Sequence, residues 1–289
     1  MTNCHAVDLH IHTTISDGLH PPSEIVSLAL AAGLHTIAIT DHDAIEGISE
    51  ALAAAEGTGL EVLAGVEVSA DTGHAEIHIL GYLVDWRDTG LVESLALSRA
   101  SRLERLDLML ERLQAIGIHI SREHVLALAD GGSVGRPHVA MAMREGHHVE
   151  TIQEAFDRYL AEGRPAYVPR AKMTPGEAIA RIRAAGGLAV LAHPWGITSL
   201  VPELVKQDLA GLEAYYTGYT PAMSAELIAI AELHGLLCTG GSDFHGLDTM
   251  PENLMGGVFV PLDCVVQLKE RWQAARLAER PAAKAARRS

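Results

Sequence analysis

The sequence has few residues of the kinds that form covalent crosslinks or attract polyanions. Its 289 residues include only three cysteines, Cys4, Cys238 and Cys264. They lie far apart and form no CxxC pair, which predicts reduced thiols and excludes a disulfide framework or a cysteine-based zinc site. Lysine and arginine number 22 against 37 aspartate and glutamate residues, a formal net charge of −15. Because like charges repel, duplex DNA and anionic membranes are not expected partners.

The sequence also lacks an apolar run long enough to span a bilayer, and its N-terminus has no signal-peptide pattern. We therefore expect a cytoplasmic protein. Hydrophobic residues nevertheless make up 48% of the chain. That share is enough to bury a large core, either in one α/β domain or in one domain that carries an insertion.

The order of the predicted elements favours the second arrangement. Short β-branched runs such as Thr36–Thr40 alternate with helical patterns, which predicts βαβ units in a parallel sheet or barrel. In the middle of the chain the strands disappear and helices follow one another, which predicts an all-helical insertion. The predicted division is a first barrel part over 1–92, a substrate-gripping helical insertion over 93–168, and a second barrel part over 169–289.

Histidines and acids fall at the ends of the predicted strands. His10 and His12 share one face of the first strand, because side chains at i and i+2 point the same way. Asp243 and His245 repeat this pattern on the last strand. The carboxyl ends of the strands in a parallel barrel meet at one face, so we expect these groups to cluster there. Imidazole and carboxylate without thiolate suit Mn²⁺, Zn²⁺ or Fe²⁺ in an open catalytic site.

The segments "DLHIHTTISDG", "TIAITDHD", "GVEVSA", "HILGY", "AHP" and "GSDFH" together resemble the polymerase-and-histidinol-phosphatase (PHP) family of metal-dependent phosphoesterases. The resemblance implies a distorted (β/α)7 barrel that holds two to three divalent ions per chain, with Mn²⁺ favoured and Zn²⁺ or Fe²⁺ as alternatives. Glu67 would bridge two of the metals. The ligands implied for the three metals are His10, His12, Glu67 and Asp243; Glu67, His78 and His193; and Asp17, His42 and His245.

A metal-bound hydroxide is then expected to attack phosphorus in line, releasing an alcohol and phosphate without a covalent enzyme intermediate. His12 and His193 are the candidates for protonating the leaving oxygen. Asp243 completes the predicted catalytic set.

Predicted substrate contacts lie in and just after the insertion. The stretch "GGSVGRPH" (Gly131–His138) places small residues and an arginine before a helix, which predicts a phosphate site of backbone N–H groups and a guanidinium. The later stretch "GRPAYVPRAK" adds further cations. The predicted substrate-binding residues are Ser133, Gly135, Arg136, His138, Arg164, Arg170 and Lys172. Other basic residues of the insertion alternate with acids, which predicts a solvated helical face; these are Arg99, Arg102, Arg105 and Arg112.

A basic cluster beside metals in an acidic protein predicts a small substrate with two phosphates. Insertion-bearing members of the family resemble nucleotide phosphoesterases, so we predict removal of the 3′-phosphate from 3′,5′-bisphosphate nucleotides, leaving the 5′-monophosphate. The alternatives are a 5′-end-directed exoribonuclease on short RNA, a histidinol-phosphate-type phosphatase, and an amidohydrolase that cleaves a C–N bond. The expected partners are therefore a small phosphorylated nucleotide or short RNA 5′ ends.

Overall fold

Seven strands lie in chain order around one sheet of the computed structural model, which describes residues 7–72, 75–129, 134–169, 173–247, 250 and 252–286. The strands are β1 (Val7–Ile11), β2 (Thr36–Ile39), β3 (Glu61–Asp71), β4 (Glu76–Tyr82), β5 (Leu188–Leu191), β6 (Gly211–Tyr216) and β7 (Leu237–Gly241). A bridge between Ile11 and Phe244 joins β1 to the segment after β7, so the sheet is a nearly closed barrel. The predicted α/β barrel is confirmed.

Helices follow most strands, and the described part of the chain contains ten α-helices. They are α1 (Pro22–Ala31), α2 (Ile48–Ala55), α3 (Thr89–Ala115), α4 (Arg122–Leu128), α5 (Arg136–Glu145), α6 (Ile152–Ala155), α7 (Pro175–Ala184), α8 (Val201–Lys206), α9 (Pro221–His234) and α10 (Leu262–Ala286). Local chemistry sets some of their starts. Thr174 and Glu177 exchange side-chain and backbone hydrogen bonds of 3.3 and 2.8 Å, a capping box that opens α7. None of the described helices has the length and apolar composition of a membrane span.

The expectation of a uniformly parallel sheet is wrong at β4, which pairs antiparallel with both β3 and β5. The connection between β3 and β4 is too short for the crossover that a parallel pair requires. The reversal has a consequence for the site. It brings the beginning of β4, where His78 pairs with Ser69, to the same end of the barrel as the carboxyl ends of the other strands.

The segment predicted as an insertion has a hydrophobic core of its own, in which Leu106, Met109, Val139 and Leu160 are buried together. Helix α3 begins at Thr89, before the predicted boundary, and it joins the two regions. Its first turns pack in the barrel core through Leu91 and Leu95, and its later turns pack in the insertion core. The exact division of the chain at 92 and 168 stays a prediction.

Candidate metal centre

The nine predicted metal ligands lie together at one end of the barrel. Strands or the loops that directly follow them supply every one, because the carboxyl ends of neighbouring parallel strands converge there and the reversed β4 brings its beginning to the same end. In chain order they are His10 and His12 on β1, Asp17 after β1, His42 after β2, Glu67 on β3, His78 on β4, His193 after β5, and Asp243 and His245 after β7. One close approach depends on glycine: a Cβ on Gly241 would lie 2.4 Å from the His10 backbone nitrogen, so a side chain there would displace β1.

Glu67 lies at the middle of the cluster and is fully buried. Its Oε2 atom lies 3.1–3.2 Å from a ring nitrogen of each of three histidines, His10, His12 and His42. Its Oε1 atom lies 2.9 Å from Nδ1 of His78 and 3.3 Å from Nε2 of His193. One carboxylate therefore faces imidazoles on two sides, which is the arrangement that a bridging ligand requires.

Asp17 and Asp243 extend the cluster in two directions. Oδ1 of Asp243 lies 3.3 Å from Nε2 of His10 and 3.1 Å from Nε2 of His12. Oδ1 of Asp17 lies 3.3 Å from Nε2 of His245, and its other oxygen lies 4.0 Å from Nε2 of His42. Asp243 thus approaches His10 and His12, whereas Asp17 approaches His42 and His245.

Several buried atoms in this cluster have no hydrogen-bond partner, although other polar atoms surround them. They are His10 Nε2, His12 Nε2, Asp17 Oδ1, His42 Nδ1 and Glu67 Oε2. An unsatisfied buried polar atom costs about 1–3 kcal/mol, so five in one place require a further partner. Cations bound among them would satisfy all five, because each offers a lone pair when the histidine nitrogen is deprotonated. The donor set therefore fits divalent ions.

Three groups of donor atoms, each within 4.8 Å of one another, could each hold an ion. They are His10, His12, Glu67 and Asp243; His12, Asp17, His42 and His245; and His42, Glu67 and His78. The first matches a predicted ligand set, and the second adds His12 to another. In the third, His42 stands where the sequence predicts His193, whose Nε2 lies 3.2 Å from Nδ1 of His78. The assignment of each ligand to one metal stays a prediction.

Burial and mutual contact shift the pKa values of these groups. Burial would lower the pKa of His12, but the nearby carboxylates of Asp243 and Glu67 outweigh it and raise that pKa to about 10. Burial would raise the pKa of Glu67, but His42, His78 and His10 hold it well below its ordinary range. A metal ion that binds here would compete with protons for the histidine nitrogens.

Glu213 on β6 also belongs to the centre, and the sequence-based prediction missed it. This fully buried residue lies with Oε1 2.9 Å from Nδ1 of His10. Its Oε2 accepts the backbone N–H of His193 at 2.8 Å. A carboxylate on the outer nitrogen of a ligand histidine fixes the ring and makes it more basic. A single acid inside the apolar strand "GLEAYY" was the available signal.

Two further aspartates hold the loops that carry ligands. Asp41 accepts hydrogen bonds from the backbone and side chain of Thr13 at 2.7 and 2.8 Å and from Ser16 at 2.6 Å. Asp8 accepts the backbone N–H and the hydroxyl of Ser242 at 2.9 and 2.6 Å. These hydrogen bonds hold the segments that precede Asp17 and Asp243.

The predicted solvated face of α3 is wrong for Arg102 and Arg105, whose residues are only 7% and 6% exposed. Arg102 donates to Oδ2 of Asp43 from Nε at 2.9 Å and from Nη2 at 2.7 Å, and to the Ser69 hydroxyl at 3.0 Å. The acids that pair with these arginines come from the barrel rather than from α3 itself. Arg102 therefore ties the insertion to segments adjoining His42 and Glu67.

Arg136, the predicted phosphate-binding arginine, lies on the β4 side of the centre. Its Nη2 is 3.7 Å from Glu76, which also pairs with Arg105 at 3.2 Å and lies 3.5 Å from Nε2 of His78. Burial would raise the pKa of Glu76, but His78 and the two arginines hold it well below its ordinary range. Glu76 is thus ionised, and the two arginines and one glutamate carry one net positive charge beside the centre.

The other predicted substrate-binding residues lie in different settings. His138 is buried, and its Nδ1 accepts the backbone N–H of Gly135 at 3.0 Å, so this ring nitrogen holds the start of α5. Arg164 is exposed, in a turn where its backbone bonds to Ala161 and Tyr167. The remaining three, Ser133, Arg170 and Lys172, lie outside the described residues.

The barrel and its histidine–carboxylate centre define a metal-dependent phosphoesterase. The sequence profile of the PHP domain matches residues 8–166, and the chain belongs to the PHP family. It is 36% identical over 248 residues to the 5′-3′ exoribonuclease Rnm of Escherichia coli K12, covering 82% of this chain and 84% of the relative. It is 33% identical over 247 residues to the 3′,5′-nucleoside bisphosphate phosphatase of Chromobacterium violaceum, covering 83% and 87%.

A solved structure from Bifidobacterium adolescentis, provisionally named a metal-dependent phosphoesterase, superposes with a TM-score of 0.83 at 34% identity. The superposition covers 91% of this chain and 94% of that one. The predicted family and the predicted enzyme class, a metal-dependent phosphoric monoester hydrolase, are confirmed.

Proposed function

We propose that the enzyme hydrolyses the 3′-phosphate of 3′,5′-bisphosphate nucleotides to give the 5′-monophosphate and phosphate. The observation that carries the proposal is the net positive charge of Arg105, Arg136 and Glu76 directly beside the metal centre. In a chain with a formal net charge of −15, a local cationic site next to metals favours a small substrate with a second anionic group.

Divalent ions held by the predicted ligands would polarise the scissile phosphate and lower the pKa of water. The side chains of the centre prepare the site for this chemistry. Glu213 orients the His10 ring, and the Tyr216 hydroxyl donates to Oδ2 of Asp243 at 2.8 Å, which fixes that carboxylate. Arg136 would hold the 5′-phosphate. His12, His193 and Asp243 remain the proposed catalytic residues, and His193 is the most solvent-accessible of the three.

The C. violaceum relative's name supports the substrate, since that protein is named a 3′,5′-nucleoside bisphosphate phosphatase. The described lysines do not favour the amidohydrolase alternative. Many binuclear amidohydrolases bridge their metals with a carboxylated lysine at a strand end. Among the described lysine side chains, Lys206 pairs with Glu203 on α8, and Lys269 on α10 pairs with Glu61 at the beginning of β3.

The test is phosphate release by the Mn²⁺-loaded enzyme from a 3′,5′-bisphosphate nucleotide, a 5′-monophosphate, histidinol phosphate and an aryl phosphate. We expect the bisphosphate to have the highest kcat/KM. Arg136→Ala should raise KM for the bisphosphate about tenfold, because a charge-assisted hydrogen bond contributes about 1.5–3 kcal/mol. Arg144→Ala, near the other end of α5, is the matched control. Equal rates on all four substrates would contradict the proposal.

A further inference from the structure

Strand β6 is irregular where it reaches the metal centre. Glu213 and Tyr216 are three positions apart, so a regular strand would direct their side chains to opposite faces. In the register with β7, Glu213 pairs with Thr239. Gly240, the next residue of β7, pairs with Tyr215, so β6 contains one extra residue, a β-bulge. Both Glu213 and Tyr216 therefore reach ligands of the centre.

The bulge depends on a close approach of the two strands at Gly240. A Cβ on Gly240 would lie 2.3 Å from the carbonyl oxygen of Tyr215, so a side chain there would displace the bulged backbone. Beyond the bulge, the Tyr216 ring packs 5.2 Å from that of Tyr219 and 5.6 Å from that of His193. Bulges often redirect a side chain beside an active site, and this one directs the Tyr216 hydroxyl to the centre.

That hydroxyl contacts a predicted metal ligand whose backbone is already fixed. Asp243 has a φ of 54°, in the left-handed region that residues other than glycine rarely adopt. Its carbonyl oxygen accepts hydrogen bonds from Nδ2 of the buried Asn253 at 3.0 Å and from Nδ1 of His245 at 2.9 Å. The remaining freedom is the rotation of the carboxylate, which is a broad torsion. Only a partner of the carboxylate itself can fix that rotation.

The two carboxylate oxygens of Asp243 have different partners. Oδ1 lies 3.3 Å from Nε2 of His10 and 3.1 Å from Nε2 of His12. Oδ2 accepts the Tyr216 hydroxyl at 2.8 Å. The hydroxyl is the donor, because a phenol keeps its proton at neutral pH and an ionised carboxylate only accepts. Turning both oxygens toward one ion would break this hydrogen bond.

We infer that Tyr216 is a positioning residue that occupies Oδ2 of Asp243 and leaves only Oδ1 for a bound ion. Ca²⁺ takes about six to eight oxygen ligands and uses bidentate carboxylates in flexible sites. Mn²⁺ also accepts imidazole and needs fewer oxygens, so the restriction disfavours Ca²⁺ relative to Mn²⁺. The inference concerns the ion alone and does not depend on which phosphate ester is the substrate.

The experiment measures ion binding by the full-length chain after dialysis against a chelator. Titration with Mn²⁺, with the free ion measured by electron paramagnetic resonance, gives the half-saturating Mn²⁺ concentration. Ca²⁺ is then added until half of the bound Mn²⁺ is displaced, and the ratio of the Ca²⁺ to the Mn²⁺ concentration measures the preference. Tyr216→Phe keeps the ring and removes the hydroxyl. We expect it to lower this ratio at least about tenfold, because groups that support metal ligands change affinity by about 10- to 100-fold.

Tyr215→Phe is the matched control, because it removes a hydroxyl from the adjacent residue, whose ring packs against the apolar cluster that contains Val265 and Leu268. Its ratio should not change. In an Asp243→Asn background, Tyr216→Phe should no longer lower the ratio, because the carboxylate that the hydroxyl positions is absent.

A Tyr216→Phe chain with an unchanged ratio would overturn the inference. Weaker binding of both ions by the same factor would also overturn it, because a general loosening of the centre affects both ions alike. An equal fall of the ratio in Tyr215→Phe, or an undiminished effect of Tyr216→Phe in the Asp243→Asn background, would have the same consequence.

Discussion

The barrel and the helical insertion use charge in opposite ways. At the barrel mouth, histidines and carboxylates crowd together, and several of their buried atoms lack hydrogen-bond partners. Arginines of the insertion instead reach carboxylates that the barrel supplies: Arg102 contacts Asp43, and Arg105 contacts Glu76. The buried polar atoms of the barrel mouth therefore need added cations as partners. The insertion needs none, because its own arginines supply the positive charge.

This difference separates two tasks. The unpartnered histidine nitrogens and carboxylate oxygens at the barrel mouth favour metal binding and place the chemistry there. The insertion's arginines serve first to hold it against the barrel, and only Arg136, which shares Glu76 with Arg105, adds charge for a substrate. Ligand variants in the barrel should abolish activity, and variants of buried arginines should mainly reduce stability.

Glu67→Gln tests the barrel side of this comparison and should have the largest effect. The amide keeps the size of the side chain but removes the charge that faces five histidines. We expect kcat/KM to fall at least about 10⁴-fold, roughly 5.5 kcal/mol, because metals supply several kcal/mol of transition-state stabilisation. Steady-state phosphate release and metal content by mass spectrometry are the measurements.

Glu61→Gln is the matched control on the same strand, since Glu61 begins β3 and pairs with Lys269 away from the centre. Its activity should stay within a few-fold of the wild-type value. A Glu67→Gln enzyme with full activity and full metal content would remove the basis for the bridging assignment.

Arg102→Met tests the insertion side. The substitution removes the guanidinium from the buried Asp43 carboxylate, and breaking a buried ion pair costs about 3–5 kcal/mol. Arg99→Met, one turn earlier on α3, removes a more exposed pair with Glu46 and should cost about 1 kcal/mol. Urea denaturation gives both free energies of unfolding. Equal losses would show that Arg102 behaves as a surface residue.

The sequence predicted the barrel because alternating β-branched runs and helical patterns are local signals. It also predicted the start of α7, where Thr174 and Glu177 form the expected capping box. The direction of β4 was missed because strand periodicity does not encode pairing direction. Only the short connection from Asp71 to Glu76 indicated it.

Residues that the sequence-based prediction missed or misjudged depend on contacts between distant parts of the chain. Glu213 meets His10, which lies 203 positions earlier, and Arg102 meets Asp43, which lies 59 positions earlier. The sequence pattern of an arginine among acids on a helix is the same whether the arginine faces water or a buried carboxylate. The ligand motifs were recognisable because each one is a short run of neighbouring residues at the end of one strand.

Glu213→Gln examines whether the barrel centre extends beyond the predicted ligands. The amide weakens the contact with Nδ1 of His10, and removal of such a supporting carboxylate lowers metal affinity or activity about 10- to 100-fold. Titration of apoenzyme activity with Mn²⁺ measures the half-saturating concentration. Glu232→Gln, at an exposed position on α9, is the control. An unchanged half-saturating concentration for Glu213→Gln would limit the centre to the ligands themselves.

His138→Gln gives the smallest expected effect and probes the insertion by pH. Burial lowers the pKa of His138 below 6.5 in the folded chain, so below pH 6.5 the unfolded chain binds a proton that the folded chain does not. The stability that neutral His138 contributes is therefore complete above pH 6.5 and is lost as the pH falls. One such proton changes the free energy of unfolding by at most about 1.4 kcal/mol per pH unit.

Between pH 7.5 and 5.5 the wild-type enzyme should lose more stability in urea denaturation than His138→Gln, whose amide does not titrate. Barrel histidines contribute equally to both proteins, so the difference between the two curves isolates the insertion. His12, with its pKa raised to about 10, acts with the opposite sign: its contribution is present at low pH and is lost as the pH rises through about 10. Identical pH dependence in the two proteins would mean that His138 accepts a proton without losing its hydrogen bond to Gly135. The pH dependence of stability would then not distinguish the insertion from the barrel.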